Sequence, residues 1–314
     1  KVKTMNTLKL KHIDKDDASV LTKRTKGEKV LFIIVFVIFA LYSLILVYPL
    51  LFLLINSFQD PLTYIVARIQ PGYNPFALPE VWHFENYADV FKLSVVDSVG
   101  EKVYLYQMLF NSIWYCAFTV YGSVIMCSCT GYILSKYKFK ASSFIYALII
   151  FSMTIPVVGT TGSSLKLAHT LGIFNTPWWV LLSSLTGWGF NFMVMYGFFK
   201  NISWSYAEAV FLDGGSDFTA FVKVMLPQAK MAITTLVVVT FISAWNNYEA
   251  SLLYFPNYPT LASGLYRLKL TATRSGDFPS YYAGLMVSVI PLIIVYASCS
   301  NIIFKNFSIG GLKG

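Results

Sequence analysis

Residues able to make or break bonds are few in this chain of 314 amino acids, and they are scattered. The four cysteines, Cys116, Cys127, Cys129 and Cys299, all fall in apolar stretches. Cys127 and Cys129 would sit on different faces of a helix and no C-x-x-C spacing exists, so all four read as small packing residues. His12, His83 and His169 are isolated, which leaves no zinc-ligand spacing and no expected metal. A phosphate-cradling G-x-x-x-x-G-K-[ST] run is absent; the nearest stretch, Gly159 to Lys166, has the wrong spacing. No nucleophile elbow and no H-E-x-x-H pair occur. Asp213 to Asp217 lacks the ligand spacing and terminal glutamate of a calcium loop. The chain is therefore expected to be non-catalytic and to bind no cofactor of its own.

What the sequence offers instead is a polar island between two apolar stretches. Ser205-Tyr206-Ala207-Glu208 has the form of a capping box that starts a short helix. Asp213, Gly214 and Gly215 follow at once and supply a break where positive φ is allowed. Beyond them Phe218, Phe221, Val222 and Met225 recur at helical spacing and predict a second amphipathic helix that Pro227 closes. Two short helices joined by a tight elbow make a docking element rather than a reaction centre.

The elements that must carry this island are set by composition. Hydrophobic residues make up 56% of the chain, charged ones only 12%, and the mean hydropathy is +0.60; a soluble domain has about a quarter of its residues charged. Charge-free windows run from Val30 to Ile55, Val103 to Ser135, Ala141 to Leu165, Leu167 to Phe199, Met231 to Tyr248 and Phe278 to Phe304. Each is long enough for a helix to cross a bilayer, which needs about 20 residues, and backbone groups in hydrocarbon must be satisfied internally. An all-α, polytopic protein with six transmembrane helices is predicted. With the amino end inside, seventeen of the 24 lysines and arginines fall on the inner side, so both termini are expected in the cytoplasm. The same topology accounts for the formal charge of +9 without nucleic acid. Residues 1–29 form a basic cytoplasmic tail and 308–314 a short second one. The first span is too long for a cleaved signal peptide and is expected to stay as an anchor.

Within this frame the polar island resembles the EAA loop of binding-protein-dependent ABC importer permeases. Glu208-Ala209-Val210, then Gly214, then Val224 and Leu226-Pro227 follow the family's spacing. Asn111-Ser112, Leu171-Gly172-Ile173, Ala244-Trp245-Asn246-Asn247-Tyr248 and the closing Gly310-Gly311-Leu312-Lys313-Gly314 extend the likeness over most of 30–314. They point to the carbohydrate branch, similar to the six-helix second permease of maltose-type importers. Val210 and Gly215 depart from the alanines more usual at those positions.

The resemblance implies a type I importer permease fold, residues 30–307, in a bacterial plasma membrane. It also implies a second permease subunit, two ABC ATPase subunits that hold ATP and Mg, an extracytoplasmic sugar-binding protein and a carbohydrate cargo. Residues 203–227 would dock on the ATPases through Ser205, Glu208, Ala209, Asp213, Gly214 and Gly215, with Lys313 as a further contact. The outer loop 56–102, which carries six acidic and three basic residues, and Tyr254 to Lys269 would face the binding protein. Polar residues inside spans are expensive, and the apolar ring faces of sugars lie well on Trp or Tyr, so Asn111, Trp188, Asn191, Trp245, Asn246, Asn247, Tyr248 and Glu249 are candidates for the solute path. Hydrogen bonds between helices explain the asparagines equally well. Trp114, Trp178, Trp179 and Tyr281 read as interfacial anchors. The alternative is an ion-coupled carrier, for which Glu249 alone comes near an intramembrane ionisable site.

Overall fold

A computed structural model describes residues 26–72, 74, 76–155 and 159–310, the last ten by backbone only. The expected basic tail up to Thr25 and the expected contact Lys313 lie outside the described residues. The chain divides into two units, one ending at Phe52 and one beginning at Leu53. The first is carried by α1, Lys26–Asn56, whose most apolar window has a hydropathy of 3.2 and no buried residue. A helix so apolar on every face must lie in lipid or against other apolar surface.

The second unit is organised around α4, Leu105–Lys136, and ends in the long helix α14, Phe278–Gly310. Before α4 come α2, Pro61–Ile69, α3, Glu85–Asp89, and a small hairpin of β1, Ser94–Val96, with β2, Lys102–Tyr104. After it come α5, Ser142–Thr154, α6, Thr160–Thr170, α7, Pro177–Ser184, and α8, Phe190–Asn201. The polar island follows, then α11, Lys230–Trp245, α12, Tyr248–Tyr254, and α13, Leu261–Ser275. Among the described residues three single helices are long and apolar enough to span a membrane. A pair bent by 74°, Asp217–Gln228 with Lys230–Trp245, makes a possible fourth.

Several windows predicted as continuous helices are broken. Residues 141–165 yield α5, of 13 residues, and then α6. At 1.5 Å per residue α5 covers about 20 Å, short of the ~30 Å hydrocarbon core. Ile155 is already extended (ψ 116°), as suits a residue before proline, here Pro156. Residues 167–199 yield α7 and α8 around a non-helical stretch that includes Gly187 and Gly189. That break is tied down by α4: Thr130 Oγ1 donates to the Gly187 carbonyl (3.0 Å) and Cys127 Sγ to that of Thr186 (3.6 Å). Irregular backbone between apolar helices needs such protein partners. The fifth window breaks too, with Asn247 capping α12, so its residues do not form one helical stripe. The sixth helix runs on past residue 304 to Gly310.

Two buried clusters fill the second unit. One surrounds the Leu105 end of α4 with Met108, Trp245, Phe255, Leu261, Leu265 and Ala283; the other surrounds its Lys136 end with Tyr132, Met195, Phe199, Ala220 and Met225. The outer segment 56–102 is folded rather than loose. Buried Asn86 donates to the carbonyls of Ser57 (2.8 Å) and Gln59 (2.9 Å), and Asp97 Oδ1 accepts the amides of Val99 and Glu101 to close the hairpin. The 255–260 turn, at the start of the outer segment Tyr254 to Lys269, is held inward. Ser112 Oγ accepts the Leu261 amide (2.7 Å), Asn111 Nδ2 donates to the Pro259 carbonyl (3.0 Å), and Phe255 is buried.

Candidate functional site

The polar island folds as α9, Ser205–Leu212, an elbow, and a second arm, α10, over Asp217–Gln228. The elbow is a glycine-terminated helix end. Gly214 has φ +79°, its amide bonds the Phe211 carbonyl (3.0 Å), and the Gly215 amide bonds that of Val210 (2.8 Å). This crossed pair satisfies carbonyls that a helix end otherwise leaves bare, and it requires the left-handed residue that glycine supplies.

The starting cap differs from expectation. Ser205 is the first helical residue and makes no capping-box bond; Trp204 is the cap position, and its carbonyl accepts from Ala207 (2.8 Å) and Glu208 (3.2 Å). The hydroxyl that engages the chain start is that of Ser203, which accepts the Ser205 amide (3.3 Å). Glu208 is thereby released from a reach-back role. It is exposed on the first turn of α9, where a carboxylate favours the helix dipole, and forms no ion pair among the described residues.

The second arm is capped by Ser216, which accepts the Thr219 amide (3.3 Å). A π turn over Ala220–Met225 then shifts the register. Ala220 and Met225 are buried, whereas Phe218 is 75% and Val222 38% exposed, so the predicted apolar stripe holds only in part. Pro227 does not close this arm. The Leu226 amide reaches back five residues to Phe221, opening the turn that must admit the proline ring, and helix continues to Gln228.

The root of the element is fastened to α4 and α8 by contacts that hydropathy does not signal. Tyr137 OH donates to Asp217 Oδ1 (2.6 Å), and Lys136 Nζ donates to the Ile202 carbonyl. Burial, then the hydrogen bond to Asp217, pushes the Tyr137 phenol pKa up, so it stays a donor through the neutral range. Tyr132 stacks on Phe221 with ring centroids 4.8 Å apart, and Trp204 meets Tyr137 edge-on at 5.5 Å. Ala207 is fully buried, while Tyr206, Glu208, Ala209, Leu212 and Asp213 are exposed. A rigid root with a free tip is what a mechanical contact needs.

Val210 and Gly215, the two departures noted in the sequence, meet each other here. A Cβ at 215 would lie 2.5 Å from Val210 Cγ1 and 2.9 Å from its carbonyl oxygen. Gly215→Ala is therefore expected to destabilise the elbow by about 1–3 kcal/mol. Adding Val210→Ala should recover part of that loss, because the side-chain clash goes and the carbonyl contact stays. Thermal midpoints of the two single variants and the double variant measure the coupling; strict additivity would contradict the contact.

The solute-path candidates do not converge on one site. Asn191 Nδ2 ties three helices together by donating to Ser123 Oγ and Thr240 Oγ1 (both 3.1 Å), and Asn111 also accepts from Trp114 Nε1 (3.1 Å). Both act as fasteners. Asn247 is a helix cap, Glu249 is exposed, and Trp188 is 54% exposed on the α7–α8 break. Trp245 and Asn246 line one cavity of about 280 Å³, with Leu265, Tyr266, Lys269, Tyr281 and Ser288 among its other walls. Tyr248 adjoins it by stacking on Tyr266 at 4.7 Å. Tyr266, Lys269 and Tyr281 were not singled out as path residues, because they lie one helix away or at a span end. Of the expected interfacial anchors, Trp178 is 68% exposed, but Trp179 is buried and stacks on Tyr254 at 5.1 Å.

A bundle of apolar helices, some broken, that bears a hinged amphipathic pair at one end has the architecture of a transport permease. The model of the binding-protein-dependent transport system inner membrane component family matches residues 127–308, and the chain belongs to that family. It is 25% identical over 276 residues to the diacetylchitobiose uptake system permease protein NgcG of Streptomyces coelicolor, covering 87% of this chain and 86% of the relative. It is 24% identical to the galactooligosaccharides transport system permease protein GanQ of Bacillus subtilis, over 89% and 94% of the two chains. A chain in the crystal structure of a bacterial ABC transporter that imports the acidic polysaccharide alginate superposes with a TM-score of 0.72. It has 23% identity and is covered to 98%, against 88% of this chain. That likeness shows the fold, the all-helical permease fold of type I ABC importers.

Proposed function

We propose that this chain is one of two permease subunits of an ATP-driven carbohydrate importer, and that oligosaccharides fed by an extracytoplasmic binding protein are its cargo. The saccharide-uptake names of its relatives support the cargo class. The coupling role rests on one observation: α9 is exposed at its tip, hinged at Gly214 and fastened at its root to α4 and α8. The tip, with Glu208 foremost, docks on an ATPase subunit, and closure of the ATPase pair moves the helices that line the path. ATP and Mg belong to those subunits. The solute passes between this chain and the second permease.

Purification from the native membrane in mild detergent is expected to bring down a second permease, an ABC ATPase and a saccharide-binding protein. Uptake of diacetylchitobiose or galactooligosaccharide probes into right-side-out vesicles should then follow internal ATP and resist a protonophore. Uptake that collapses with the protonophore and ignores ATP depletion would make the chain an ion-coupled carrier instead.

A further inference from the structure

We infer that the cavity between the ends of α11, α13 and α14 is a saccharide subsite selective for an anionic sugar, and that Lys269 is the residue that selects the charge. The inference rests on the carbohydrate reading above and adds to it the charge class of the cargo.

The cavity's composition fits one sugar ring. Its volume of about 280 Å³ is near the small end of ligand sites, which start at about 300 Å³. Trp245, Tyr266 and Tyr281 give aromatic walls, and the Tyr266 ring is held flat against Tyr248, with 8° between the planes. Such platforms receive the apolar face of a pyranose, while Asn246 and Ser288 add polar atoms at the rim. Trp245 is itself immobilised, its Nε1 donating to the Ser288 carbonyl (3.1 Å).

Charge is the distinctive feature. Among the described residues Lys269 is the sole ionisable cation on the wall, and no carboxylate lines the cavity. Nor does Lys269 form an ion pair among the described residues. The helix that carries it, α13, also bears Arg267 and Arg274 and no acidic residue. Arg267 is already engaged, donating to the Val96 carbonyl (2.7 Å). The acidic hairpin residues Asp97 and Glu101 line a different hollow with Asn257 and Tyr258. Glu249 is exposed on α12 and is not among the cavity's walls. Lys269 is exposed, on a helix outside the candidate spans, so its ammonium is free to pair with a cargo that carries its own negative charge beside the aromatic platform. A carboxylate on the sugar ring supplies that charge at the distance of a ring substituent.

The test uses the assembled importer in right-side-out vesicles and two labelled probes of equal length, trigalacturonate and neutral galactotriose. The wild type is expected to take up the acidic probe on the order of tenfold faster at limiting concentration. Lys269→Met should lose that preference, the KM for trigalacturonate rising about tenfold more than the KM for galactotriose, and Lys269→Arg should retain it. Lys269→Glu should favour the neutral probe. ATP-driven galactotriose uptake with no acidic preference, or an acidic preference that survives Lys269→Met within about twofold, would overturn the charge assignment and leave the carbohydrate reading intact. Absence of ATP-driven uptake for either probe and for diacetylchitobiose would overturn both. Chain levels in the membrane are measured for each variant, and Lys269→Arg guards against a loss of folding being read as a loss of selection.

Discussion

Gly214→Val is expected to reduce uptake by more than about tenfold while the chain stays inserted and folded. The residue occupies φ +79°, and no atom lies within 4 Å of where its Cβ would be. The whole penalty is therefore conformational. Holding a β-branched residue in the left-handed region costs about 1–3 kcal/mol, well below the ~5–15 kcal/mol that stabilises a typical domain. The cheapest relief is local: Gly214 leaves that region, the crossed bonds from 214 to Phe211 and from 215 to Val210 are lost, and α9 swings on its root. In the docking proposed above, the exposed tip with Glu208 would then miss the ATPase although nothing in the spans has changed. Partner ATP hydrolysis should continue or rise as transport falls. Gly214→Asn, which tolerates the same conformation, should keep most of the uptake. A valine variant that transports normally at normal membrane levels would show that the elbow transmits no force.

The elbow could be read from sequence because it is local: an exposed acid, two glycines and a helix restart lie within a dozen residues, and each acts on its immediate neighbours. The breaks after Thr154, at Gly187 with Gly189 and at Asn246-Asn247 were hidden for the opposite reason. Hydropathy sums transfer energies and does not register whether a backbone carbonyl has a partner. The α7–α8 interruption is possible only because Thr130 and Cys127, some sixty positions away, supply that partner. Ser203 in place of Ser205 as the engaging hydroxyl is a shift of the kind that helix termini allow. The anchoring of the second arm was hidden more deeply. Tyr137 and Asp217 look like two ordinary loop residues until folding puts a phenol 2.6 Å from a carboxylate. Lys269 carried no signal as a path residue, since a lysine near a membrane face is explained by topology alone.

In the coupling proposed above, the path from elbow to spans has a weak point at Gly131, and Gly131→Leu is expected to disable the protein by another route than Gly214→Val. A Cβ at 131 would stand 2.9 Å from the Tyr196 amide nitrogen and 3.1 Å from the Met195 carbonyl carbon. Those are backbone atoms of α8, and they cannot rotate aside as a side chain can. Close approach of this kind is what small residues provide between membrane helices, where lipid tails give no hydrophobic drive for association. A leucine must push α4 and α8 apart, opening the cluster of Tyr132, Met195, Phe199 and Met225 on which the second arm rests. Overpacking of about 3 kcal/mol or more is expected, read as a drop of the thermal midpoint in detergent together with loss of the copurifying ATPase and of uptake. Gly197 lies on the same helix α8 with no atom within 4 Å of its Cβ position, so Gly197→Ala should leave all three readouts unchanged or slightly raise the midpoint. The two elbow-path variants then separate by degree and by partner: Gly214→Val loses transport with the smaller drop of the midpoint, whereas Gly131→Leu shows the larger drop and loses the copurifying ATPase as well. A Gly131→Leu protein that melts with the wild type would mean that α4 and α8 do not meet at this glycine, and that the second arm is held by Tyr137 and Asp217 alone.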